Sequence, residues 1–100
     1  MEFKDLDPIL HNELRLKIMA VLDSLDDADF VYLKTITKAT SGNLSVQLSK
    51  LQEAGYIKVS SHGAGRNSHT VCHITDAGTA AFRDYQQALL SYFAHQETNN

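Results

Sequence analysis

The sequence predicts a mainly α domain with one small β-hairpin, in the order helix, helix, turn, helix, hairpin, helix. Three observations predict it. The stretch Thr40 to Tyr56 opens on hydroxyl side chains that cap a helix, repeats Leu44, Leu48 and Leu51 at steps of four and three, and closes at Gly55, the residue type suited to a left-handed helix stop. Directly after it, Tyr56-Ile57-Lys58-Val59-Ser60 alternates apolar and polar, as a half-buried strand does. On either side lie helical stripes, Leu14, Ile18, Val21, Leu22 and Leu25 before, and Phe82, Tyr85, Leu89, Tyr92 and Phe93 after.

Taken in order, Asp7-Pro8 reads as a cap with proline at the first helical position, where its missing amide costs nothing. The spacing predicts a first helix over Ile9 to Leu25, with a break near His11-Asn12. Asp26, Asp27 and Asp29 are expected to cap a second helix running through Phe30, Leu33 and Ile36. No glycine turn or closing Glu follows them at calcium-loop spacing. The second helix stops before Ala39-Thr40, which leaves a tight turn before the third, expected over 41–54. His62 to Asn67, with two glycines and Arg66, is the hairpin tip, and Ser68 to Ile74 returns with Thr70, Cys72 and Ile74 on one side. Thr75 caps the last helix, expected over about 76–95 and about 30 Å long at 1.5 Å per residue. That exceeds what so small a core covers, so its excess, with Leu6 and Leu10, is expected to pack on a second copy.

The chain is 100 residues long, enough for one domain, with a core over about 9–75. No apolar run approaches the roughly twenty residues that span a bilayer, and the acidic N-terminus lacks the order of a secretory signal. One cysteine excludes an internal disulfide and suits a reducing cytoplasm. The net charge of −3 conceals segregation. Residues 1–30 carry three cations against eight acids, residues 31–75 carry five against Glu53 alone, and residues 76–100 carry Arg83 against three acids. A surface for phosphates needs local charge rather than a basic total. No glycine-rich phosphate loop followed by Lys-Ser/Thr and no nucleophile elbow is present, so no enzyme and no cofactor is expected.

Leu14-Arg15-Leu16-Lys17-Ile18, Phe30-Val31-Tyr32-Leu33, Gly42-Asn43-Leu44-Ser45, Glu53-Ala54-Gly55-Tyr56-Ile57 and Ile74-Thr75-Asp76-Ala77-Gly78 together resemble small winged helix-turn-helix transcriptional regulators related to the MarR and ArsR groups. The resemblance covers about residues 6 to 93. It implies a dimer built by the first and last helices, with two reading helices in successive major grooves of a near-palindromic double-stranded DNA operator. It departs from the family at Gln47, where His is frequent, and in the hairpin tip, where relatives carry more cations than Arg66.

The small polar face of the third helix suits base reading. Ser45, Gln47, Ser49 and Lys50 are expected to face DNA, Gln47 pairing with adenine and Lys50 with guanine or phosphate. Ser41, Gly42 and Asn43 at the positive helix end are expected to hold a phosphate. Lys34 and Lys38 on or after the second helix, and Arg66 in the wing over 62–69, are expected on the backbone. Val46 either touches a thymine methyl or packs inward. Leu6, Leu10, Phe82, Tyr85, Leu89, Tyr92 and Phe93 are the expected dimer surface. Two alternatives stand beside this reading: a protein-interaction module without DNA binding, and a metal-responsive regulator using His62, His69, Cys72 or His73. Spacing opposes one metal site, because Cys72 and His73 point to opposite faces of a strand.

Overall fold

The computed structural model describes residues 2–63, 65 and 69–94. Its elements are α1 (Glu13–Leu25), β1 (Asp27–Asp29), α2 (Phe30–Thr37), α3 (Ser41–Glu53), β2 (Ile57–His62), β3 (His69–Ile74) and α4 (Asp76–Leu90). Helices α1 and α3 pack on each other and on an antiparallel sheet ordered β1-β3-β2. The centre is a cluster of fully enclosed side chains that includes Ile18, Leu22, Leu33, Leu44, Leu51, Ile57 and Cys72.

The helix starts follow from local capping chemistry. Thr40, Asn12, Asp29 and Thr75 each sit in extended backbone, and each side chain accepts a bond from an amide of the first turn. Helix α3 ends where the Tyr56 amide bonds the Leu51 carbonyl at 3.0 Å and the Gly55 amide bonds Gln52 at 2.9 Å. Gly55 takes φ 81°, which a Cβ would oppose.

Four expectations need correction. The first helix does not begin at Pro8. Asp7 caps one turn instead, its carboxylate taking the Ile9 amide at 2.8 Å and its carbonyl the amides of Leu10 and His11. The helix then starts at Glu13, after the break expected near His11-Asn12, where the Asn12 side chain accepts from the Arg15 amide and caps it. The acidic run is not wholly capping: Asp27, Ala28 and Asp29 form an edge strand, pairing with His73, Cys72 and Val71. Buried Ala28 lets this strand close over Cys72. Helix α4 ends at Leu90 and passes into a turn, so it is about 22 Å long. The expected end near His95 lies outside the described residues.

The fourth correction concerns the expected dimer surface. Leu10 is fully enclosed by its own chain, and Phe82 and Tyr85 also lie in this core. Leu6 packs against the same cluster. The turn after Asp7 folds Leu10 back onto the helices, a return that periodicity does not show. Leu89, Tyr92 and Phe93 stay exposed, joined by Leu90 and by Phe3, whose ring stacks on Tyr92 with centroids 4.9 Å apart.

Candidate nucleic-acid interface

Helix α3 has two unlike faces. Leu44, Leu48 and Leu51 are buried against α1 and the sheet. Ser41, Gly42, Asn43, Ser45, Val46, Ser49 and Lys50 are exposed. Val46, open between two readings in the sequence, points out and is 51% exposed. Between α3 and the hairpin lies a recess of about 200 Å³, lined by Ser45, Ser49 and Gln52 on the helix and by Val59 and Thr70 on the strands. At the start of α3 the Thr40 hydroxyl accepts from the Asn43 amide at 3.1 Å, and Ser41 and Gly42 are exposed. A Cβ on Gly42 would meet no protein atom within 4 Å, so no packing demand inside the chain calls for glycine there.

Cations border this face. Lys34 lies in the last turn of α2, and Lys38 follows it in the left-handed region at φ 60°, both exposed. Lys38 is thereby the left-handed residue that ends α2 shortly before α3, and Lys58 is exposed on β2. Arg66 lies outside the described residues.

Gln47 differs from its neighbours. It is half-buried, its side-chain oxygen accepts a bond from Arg15 Nη1 at 2.5 Å, and its nitrogen donates to Asn43 Oδ1 at 3.0 Å. Arg15 also donates from Nε to the Ile9 carbonyl at 2.6 Å. Sequence reading missed Arg15. One signal was there: α1 offers Arg15 no carboxylate three or four residues away, whereas Lys17 has Glu13, at 3.0 Å. A half-buried cation without such a partner finds one elsewhere in the fold.

The histidines and the cysteine do not converge. Cys72 is fully enclosed, and burial, helped by the charge of Asp29, pushes its thiol from 9.0 up to about 11. His73 stands 3.8 Å from Asp27, and His62 faces His69 across the hairpin with rings 5.7 Å apart. Among the described residues no three His, Cys, Asp or Glu side chains are grouped to hold a metal ion. No described helix is long and apolar enough to cross a membrane.

Three helices, the last of them presenting a polar face, followed by a hairpin and a closing helix, define a winged-helix domain. Residues 14–93 match the family described as winged helix DNA-binding domain, and the chain belongs to it. That is a family of nucleic-acid binders rather than of enzymes. An uncharacterised protein of Methanocaldococcus jannaschii is 34% identical over 82 residues, spanning 82% of this chain and 89% of its own. A transcriptional regulator homologue from Pyrococcus horikoshii OT3 is 30% identical, with a TM-score of 0.82 over 88% of this chain and 87% of its own. A mutant MarR from E. coli, complexed with operator DNA, shares the fold at 20% identity, with a TM-score of 0.70 over 90% of this chain and 63% of its own.

Proposed function

We propose that this protein is a transcriptional regulator that binds a near-palindromic DNA operator as a homodimer and represses by occupying it. The observation that carries the proposal is the exposed face of α3, small and, apart from Val46, polar from Ser41 to Lys50, and backed by three buried leucines. A face without bulk enters a major groove, where hydroxyl, amide and ammonium groups meet base edges. Lys34, Lys38 and Lys50 supply phosphate contacts beside it, and the bare first turn at Gly42 lets a phosphate approach the helix amides. The fold shared with an operator-bound MarR supports the same reading.

The dimer reading rests on the C-terminal end of α4. Phe3, Leu89, Leu90, Tyr92 and Phe93 leave an apolar patch there, on the last turn of α4 and the segment that laps over it. The Lys4 amide donates to Ser91 Oγ at 3.0 Å and holds that segment in place. A second copy covering this patch sets two α3 helices at a fixed spacing, as a two-fold symmetric site requires.

Titration of the protein against a selected duplex at rising salt tests the proposal. Each phosphate neutralised steepens the fall of log affinity with log salt by about 0.9. Affinity that barely responds to salt would point to a protein-interaction module instead. Sedimentation that shows only monomer at micromolar concentration would remove the dimer.

A further inference from the structure

We infer that Arg15 is a specificity-determining residue that, by holding the Gln47 amide oxygen, makes the reading helix select guanine rather than adenine beneath Gln47. The inference rests on α3 being the DNA-reading helix and adds which base it reads and why.

A guanidinium has only donors, so the Gln47 atom that faces it must be the oxygen. That fixes the amide the other way round at its far side, where the nitrogen donates to Asn43 Oδ1. Asn43 in turn is left with its own nitrogen as the outward group. One cation in α1 thus orients two amides of α3 in a single direction, from Arg15 to Gln47 to Asn43.

Arg15 is itself held. Its Nε bonds the Ile9 carbonyl at 2.6 Å, and Ile9 belongs to the turn that Asp7 closes. Tyr56 Oη donates to the Asp7 carboxylate at 2.5 Å, and His11 Nδ1 meets Tyr85 Oη at 2.9 Å, so this turn is pinned to both α4 and the start of the hairpin. The planar fork holds Ile9 with Nε and Gln47 with Nη1 in one fixed geometry, which the single nitrogen of a lysine does not reproduce.

The consequence for base reading is electrostatic. Pairing with adenine asks Gln to accept from the base amino group and donate to N7. A positive charge bonded to the Gln47 oxygen opposes the approach of an amino group to that oxygen. Asn43, Ser45, Ser49 and Lys50 are exposed around half-buried Gln47, whose amide nitrogen keeps a second N–H, a set rich in donors. Guanine offers N7 and O6, two acceptors side by side, and is the base edge that complements it.

Selection from duplexes with a randomised stretch of about 20 base pairs, two half-sites long, tests this with the wild-type protein and with Arg15→Met, Arg15→Lys and Gln47→Met. Gln47→Met marks the base pair beneath residue 47 as the one whose preference is lost. The wild type is expected to choose guanine there by about tenfold, and Arg15→Met is expected to turn the choice to adenine. The salt dependence of Arg15→Met on each protein's own best site should equal that of the wild type, because no phosphate contact is removed. Guanine retained in Arg15→Met, or a salt slope lower by about one, overturns the inference. If Arg15→Met does not fold, Arg15→Lys decides: the relaxed preference is expected, and an unchanged guanine preference overturns it. Wild-type protein that binds no duplex at all sinks the DNA reading of α3 as well, which a selective wild type with unchanged variants does not.

Discussion

Gly42 and Gly78 occupy neighbouring places, the second and the third residue after their caps, and meet opposite surroundings. Each lies in the first turn of a helix capped by threonine, α3 by Thr40 and α4 by Thr75. A Cβ on Gly78 would lie 2.1 Å from the Tyr56 carbonyl oxygen and 3.1 Å from Ile74 Cγ1. A Cβ on Gly42 would touch nothing. At Gly78 the helix crosses the start of the hairpin, where Thr75 Oγ1 donates to the Gly55 carbonyl and the Thr75 amide to Tyr56. That glycine is needed by the fold. At Gly42 the surface is open and the fold makes no demand, so a bound phosphate is the proposed reason for a bare backbone. The same residue type soon after the same cap therefore marks a packing junction in one helix and, in the other, an open turn proposed to receive a phosphate.

The largest effect that sharpens this contrast is expected from Gly78→Ala. The clash is with backbone, which cannot swing aside, so stability should fall by about 3 kcal/mol, read from the urea midpoint. An unchanged midpoint would break the comparison. Next comes alkaline pH, which probes the buried side again. The Cys72 thiol, raised by burial from 9.0 to about 11, favours the folded state while it stays protonated. Its contribution is whole below about pH 9 and is lost as pH rises to about 11, a change of about 2–3 kcal/mol. Tyr56, raised to about 12 by its bond to Asp7, then by burial and by the Asp7 charge, extends the loss to higher pH. Cys72→Ala should flatten the lower part of an unfolding series measured from pH 8 to 11.

On the exposed side the order of readouts reverses. Lys34→Ala, Lys38→Ala and Lys50→Ala together should leave stability within about 0.5 kcal/mol, yet lower the salt slope of DNA binding by about 2.7. The smallest effect separates the two glycines most directly. Gly42→Ala should stabilise the protein by up to about 1 kcal/mol, as alanine does in a helix, while weakening DNA binding measured by anisotropy. Stabilisation without loss of binding would mean that no phosphate reaches that turn.

Much of the fold was legible in local patterns. The α3 stripe of Leu44, Leu48 and Leu51 and its Gly55 stop each occur within one or two turns and agree with the structure, which also resolves the cap, open between Thr40 and Ser41, as Thr40. Cys72, which alternation puts on one side of the returning strand with Thr70 and Ile74, is fully enclosed. What was missed depends on contacts between distant parts. Asp27 to Asp29 is three residues long, with an acid at each end, and becomes a strand only because β3 presents an unpaired edge. Leu10 and Tyr85 read as surplus because nothing in their spacing shows the turn at Asp7 that carries the N-terminal segment back over α4.

The candidate site divides along the same line. Ser45, Ser49 and Lys50 face outward because they lie opposite the leucines on one helix, and a period of 3.6 residues decides that without reference to any other element. Gln47 lies on that same polar side by period, but its bonding partner comes from 32 residues earlier in the chain. The sequence by itself determined the order of elements, the caps and the hydrophilic face of α3, since these depend on neighbours one to four residues apart. Only the tertiary structure decided that Arg15 stands behind Gln47, that Gly78 and not Gly42 meets backbone, and which apolar side chains remain uncovered, because each of those follows from where separate helices and strands come to rest against one another.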